Sequence, residues 1–203
     1  MKRFAFVLAM VLGLTLSASA QQVSKAERDR LVKHLKQTEK NLKKETKGLS
    51  TEQWNFKQAP DRWSVKECLE HITLSEDFLY QHVTDRVMKS PAAPEKYDAA
   101  KAKENDEKIL KIIPDRSQKA QAPEPLRPSG KWATPDEMWK HFATSRKKTI
   151  GYAKTEPDLR LHFLDSPVGG QDGYQWLLFL SAHVERHTKQ IQEVKADANF
   201  PKK

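Results

Sequence analysis

An all-α protein built as a four-helix bundle is what this sequence predicts, and three observations carry that reading. Four long segments repeat apolar residues at helical spacing, each with one core-facing stripe. Capping residues, glycine and proline fall where those stripes begin and end. No stretch shows the apolar/polar alternation of a half-buried strand, and no internal repeat is visible.

The first helix is expected from Ser24 to about Lys47, with Leu31, Leu35, Thr38, Leu42 and Glu45 on one face and Gly48 as its stop. Leu49 to Trp54 reads as a short capped turn, and Ala59-Pro60-Asp61 as a connector. The second helix opens at Trp63-Ser64-Val65-Lys66-Glu67. Ser64 can cap the free backbone N–H groups there while Glu67, three residues on, reaches back to complete a capping box. It is expected to run through Val65, Cys68, Leu69, Ile72, Leu79 and Val83 to about Met88, and Pro91 and Pro94 end it.

Residues 91–131 read as a long irregular crossover between helices two and three. Within it, 97–113 is helix-compatible but mostly charged, and 114–128 is rich in proline. That length suggests a lid or an insertion. Thr134-Pro135-Asp136-Glu137 opens helix three with a capping threonine, proline at the first helical position and acids in the first turn. Met138, Phe142, Thr149 and Ala153 form its inner face, and Pro157 closes it. Leu159 to Gly173 reads as a loop, and helix four spans from near Tyr174 to before Asn199.

The first twenty residues have the form of a secretory signal peptide: Lys2 and Arg3, an apolar run from Phe4 to Leu16, and Ala18-Ser19-Ala20 as a small-x-small cleavage pattern. Domain organisation is therefore expected to be a leader over 1–20 and one helical domain over 21–203, exported to the periplasm or beyond. The run is short for a membrane span, and no later segment approaches that length. The single cysteine, Cys68, excludes an internal disulfide, so packing must supply stability. The chain carries a formal charge of +9; without the two cations of the leader, 34 basic against 27 acidic side chains leave +7. The cations are interleaved with acids, as in Glu39/Lys43 and Lys103/Glu107, which describes a solvated helix face rather than a nucleic-acid-binding surface.

The chemistry concentrates in Leu177 to Ile191. Leu177, Leu180, Val184, Ile191 and Val194 form the stripe of helix four, and His183 and His187 stand four residues apart beside it. That spacing stacks two imidazoles on one side of a helix, within reach of a single metal ion. A pair at this spacing is a weak sign alone, since capped or surface histidines also produce it. A third histidine, His71, sits in a comparable setting on helix two.

Three segments resemble the DinB-like (DinB/YfiT) family: Gly48-Leu49-Ser50-Thr51-Glu52-Gln53, Trp63-Ser64-Val65-Lys66-Glu67-x-x-x-His71, and Trp176-Leu177-Leu178 leading into His183-x-x-x-His187-x-x-Gln190-Ile191. The resemblance implies a bundle of the DinB/YfiT-like type holding one divalent metal through His71, His183 and His187. Zinc or nickel is expected, with iron or manganese as alternatives, and imidazole suits zinc, nickel, iron and copper alike, so the ligand type does not choose among them. Many relatives carry Arg-Gly-Gln after the last histidine, where Thr188-Lys189-Gln190 stands here. Three imidazoles with an open coordination position suit a catalytic site rather than a structural one. The implied activity is metal-dependent hydrolysis or thiol-dependent transfer on a small-molecule substrate. Catalytic residues beyond the ligands are unassigned, no cofactor besides the metal is implied, and a homodimer is an open option. The alternative is a non-enzymatic metal-binding or stress-related envelope protein.

Other residues have plainer expectations. Glu185 makes the segment His-x-Glu-x-His, which is not a zincin motif and turns the carboxylate to another side of the helix. Glu67 and Glu70 could orient His71, although capping and solvation explain them as well. Cys68 reads as a small core residue, His34 and His82 as surface residues, and His141 and His162 as neighbours of a bundle end. The five tryptophans read as core and bundle-end packing, with Trp63 or Trp176 as a pocket floor.

Overall fold

The computed structural model describes residues 22–166 and 169–202. The leader expected over 1–20 lies outside them. Within them no helix is long and apolar enough to cross a membrane. The elements in chain order are α1 (Lys25–Thr46), α2 (Thr51–Asn55), α3 (Val65–His82), α4 (Ala99–Ile112), α5 (Pro135–Thr155), β1 (Phe163–Ser166), β2 (Gly169–Asp172) and α6 (Gly173–Lys195). Most of the chain is helical, and the four long helices α1, α3, α5 and α6 form the expected all-α bundle. α1 packs against α5 and α6, and α3 against the same two, so α1 and α3 stand diagonally across the bundle.

Local chemistry explains the helix starts. Ser24, Ser50, Ser64, Thr134 and Asp172 each accept from the backbone N–H three residues on, while Glu27, Gln53, Glu67, Glu137 and Gln175 return a bond to the cap. Each such box satisfies two helix-end donors that would otherwise lack partners. α1 stops at Gly48, whose φ of 68° lies in the left-handed region that glycine reaches without strain.

Two expectations need correction. Phe163–Ser166 and Gly169–Asp172, expected as part of a loop, form two antiparallel strands pairing Phe163 with Asp172 through Ser166 with Gly169. Two strands of four residues, one glycine-rich, leave no alternating pattern to read. Helix two does not continue as an α-helix to Met88: α3 ends at His82, and a wider turn covers Val83–Val87.

The apolar core falls into two clusters. One gathers Leu31, Leu35, Leu79, Val83, Ala153, Leu177 and Leu180; the other gathers Leu42, Val65, Leu69, Ile72, Met138, Phe142, Val184 and Ile191. Between these clusters each long helix carries buried polar side chains: Thr38 on α1, Ser75 and Glu76 on α3, Arg146 and Thr149 on α5, and Ser181 on α6. Arg146 Nη2 donates to Glu76 at 2.7 Å, Thr149 donates to the other Glu76 oxygen, and the Thr38 and Ser181 hydroxyls meet at 3.1 Å. A hydrogen-bonded layer therefore crosses the middle of the bundle, as buried polar groups require.

The crossover is ordered around α6. α4 packs along α6, and its Asp106 joins Glu27 and Asp172 in receiving the buried Arg160 guanidinium. The remainder of the crossover, to Lys131, reaches α3 through Leu126 and through the backbone of residues 129–131.

Candidate metal centre

α3 and α6 bring three imidazoles to one point. His71 Nε2 lies 3.1 Å from His187 Nε2 and 3.3 Å from His183 Nε2, and the latter two are 3.1 Å apart. Nitrogens at about 2.0–2.1 Å from a tetrahedral ion stand roughly 3.3 Å from one another, so this triangle has the size of three ligand positions around one ion.

Tautomers decide whether the lone pairs face inward. His71 Nδ1 lies 2.7 Å from the Leu126 carbonyl, which can only accept, so Nδ1 carries the proton and Nε2 is left with its lone pair. His187 Nδ1 meets Gln190 Oε1 at 2.8 Å, and that oxygen also accepts from Arg116, which fixes the amide orientation. Two of the three Nε2 atoms are thus bare acceptors pointed at each other, an arrangement that lacks a donor and suits a cation. Burial lowers the pKa of all three histidines. For His183, burial leads and the neighbouring His71 and Arg186 add to it, bringing the value to about 3. Neutral imidazoles are the form that binds a metal.

Among the described residues, these three are the group able to hold an ion with ligand atoms close together. His71 and His187 are buried, whereas His183 keeps partial exposure and marks the open side. The Trp63 ring lies 4.9 Å from His71 and 6.1 Å from His187, and Phe179 stacks on His183 at 6.3 Å and 13°. Aromatic rings therefore flank the site on both helices' approaches.

The family model of the DinB superfamily matches residues 34–191, a span that contains all three histidines. The chain belongs to the DinB superfamily. It is 29% identical over 153 residues to the uncharacterized protein YuaE of Bacillus subtilis (strain 168), covering 74% of this chain and 88% of that protein. No solved structure matches it.

Other groups in this DinB chain fall into place around the triad. Glu67 completes its capping box and pairs with Lys57. Glu70 is buried and binds the crossover rather than water. Neither glutamate bonds to His71; its orienting partner is a backbone carbonyl 55 residues away, which no side-chain motif can announce. Gln190, which orients His187, lies three residues after it, a spacing visible in the sequence. Glu185 lies off the site, 3.7 Å from His34 and bonded to Lys189. Cys68 is a fully buried core residue whose thiol pKa is pushed up by burial.

Three histidine expectations change. His34 is no simple surface residue, because its Nδ1 meets the Ser181 hydroxyl at 2.7 Å in the central polar layer. His82 is half-buried against the Trp176 ring at 4.4 Å. His141 pairs with Asp77 in mid-helix instead of approaching a bundle end. His162 donates to the Ser90 carbonyl beside β1.

Proposed function

We propose that this protein is an exported metal-dependent enzyme in which His71, His183 and His187 hold one divalent ion and act on a small molecule. The convergence of three Nε2 atoms, two of them proton-free by virtue of the Leu126 and Gln190 bonds, carries the reading. An ion bound there supplies Lewis acidity toward a water, a thiol or a carbonyl oxygen. The chain's own contribution is orientation and exclusion. Leu126 and Gln190 hold two rings in one tautomer, Trp63 and Phe179 wall the site, and the partial exposure of His183 leaves an approach.

Within this reading hydrolysis is favoured over thiol transfer. The leader-like residues 1–20 direct the chain out of the cytosol, where low-molecular-weight thiols are kept reduced. Zinc and nickel are the first ions to test, since imidazole donors favour them over magnesium or calcium.

The test is metal content of the purified chain from Gln21, compared with His71→Ala, His183→Ala and His187→Ala variants whose folding is checked by circular dichroism. Near-stoichiometric metal, lost in each folded variant, is expected. A cobalt-substituted sample should then change its visible spectrum on adding a thiol or hydroxamate. Metal binding that survives the substitutions removes the site. A cobalt spectrum indifferent to every probe makes the protein a metal-binding module rather than an enzyme.

A further inference from the structure

Glu70 is adjacent in sequence to His71, yet the two side chains serve different faces of α3. His71 turns Nε2 to α6 and Nδ1 to the Leu126 carbonyl of the crossover, while Glu70 meets the crossover further on, at 129–131. The Glu70 carboxylate is buried, and the bonds it makes are to backbone. Its Oε1 accepts from the N–H groups of Ser129 at 3.0 Å and Lys131 at 2.9 Å, and its Oε2 from Gly130 at 3.2 Å.

Three successive N–H groups can converge on one anion only if the chain between them curls into a nest, with a residue in the left-handed region. Gly130 supplies it, with φ of 78°. A Cβ there would meet nothing within 4 Å, so backbone conformation rather than space is the reason for glycine. Three residues upstream of this nest is Leu126, the last residue of a single helical turn (Glu124–Leu126), whose carbonyl receives the His71 Nδ1 proton.

We propose that Glu70 is a positioning residue for the metal centre. By gripping the 129–131 nest it fixes the Leu126 carbonyl against His71, and so keeps the His71 Nε2 lone pair pointed at His183 and His187. The proposal rests on the metal-binding reading above for its consequence, while its geometric part concerns the metal-free protein as well. A buried carboxylate satisfied by backbone amides is costly to place there unless those bonds persist. The crossover segment is thereby part of the site, not a loop draped over it.

The test compares Glu70→Gln with wild type and with Glu67→Gln. Glu67 caps the same helix without touching the crossover, so its variant controls for lost stability. Nitrogen-15 NMR of the metal-free proteins reads the His71 tautomer, hydrogen exchange reads residues 126–131, and competition with a chelating dye reads zinc affinity. In Glu70→Gln, one donor faces the nest amides in place of an acceptor. We expect fast exchange at 129–131, loss of the single Nδ1–H form of His71, and zinc affinity down about 10–100-fold, the usual cost of losing an orienting partner. Glu67→Gln should leave the tautomer and the affinity unchanged.

If 129–131 loosens while the His71 tautomer and zinc affinity hold, Glu70 is only a loop anchor and the proposal is overturned. If wild type binds no zinc, the metal reading fails, and the tautomer and exchange data still decide whether Glu70 positions His71. Should Glu70→Gln not fold, Gly130→Ala opens the nest from the crossover side. It is expected to give the same tautomer loss, and an unchanged tautomer there rejects the idea equally.

Discussion

Cys68 is enclosed by the second apolar cluster, and burial raises its thiol pKa, so almost no thiolate exists at neutral pH. We expect a disulfide-exchange reagent to label Cys68 rapidly in urea and hardly at all in the native protein; stoichiometric native labelling within minutes would contradict this placement. Glu76 and Arg146 show the opposite case, a charged pair with both side chains fully enclosed. Burial raises the Glu76 pKa while Arg146 opposes the shift. Replacing Arg146 alone with Met strands a buried carboxylate and should cost about 3–5 kcal/mol in urea denaturation. The double variant Glu76→Leu/Arg146→Met should recover most of that loss, because no unpaired charge remains.

At the scale of elements, the joints are where sequence and packing meet most tightly. Gly173 starts α6 where a Cβ would fall 2.9 Å from Met88 Sδ and 3.0 Å from the Leu159 carbonyl. Gly173→Ala should therefore destabilise by about 1–3 kcal/mol, the range for overpacking. Met88→Ala should relieve only part of the strain, since the carbonyl is backbone. The crossover is clamped to α6 by Arg116, which pairs with Glu193 and Gln190, and by Arg186, which donates to the Ile113 and Asp115 carbonyls. The Arg116 hydrogen bond leads in lowering the Glu193 pKa below 4.5. A carboxylate with a lowered folded-state pKa contributes stability that is present above about pH 4.5 and is lost as pH falls through the lowered value. Protection factors across residues 113–118, with the intrinsic pH dependence of exchange divided out, should accordingly fall below about pH 4.5, ahead of global unfolding. An equal fall in Glu193→Gln and wild type would remove Glu193 from that account.

For the molecule as a whole, the triad joins the neighbouring helices α3 and α6, so the proposed metal and the fold should be coupled. A ligand that binds only the folded state stabilises it by about 2.7 kcal/mol at a hundred times its dissociation constant. For a domain of this size each kcal/mol moves Tm by roughly 2–4 °C. Stripping metal with a chelator should thus lower Tm by roughly 5–10 °C, and zinc should restore it. The His183→Ala protein should show no such response.

The sequence by itself determined the four long helices, the caps of α3 and α5, and where each of the three histidines stands relative to an apolar stripe. Each depends on interactions within one turn: Ser64 with Glu67, Thr134 with Glu137, His183 with His187. Family resemblance supplied His71 as the third member, because nothing local links residue 71 to residue 183. Only the tertiary structure decided what surrounds these elements. The Leu126 carbonyl on His71, the nest on Glu70, the Arg160 cluster and the polar layer through Glu76 and Arg146 all join residues dozens of positions apart. Strands β1 and β2 are not legible in the sequence because four-residue segments, one of them with two glycines, have no period. Backbone groups are chemically identical along a chain, so which carbonyl or N–H meets a side chain is set by packing, and packing is a property of the folded whole.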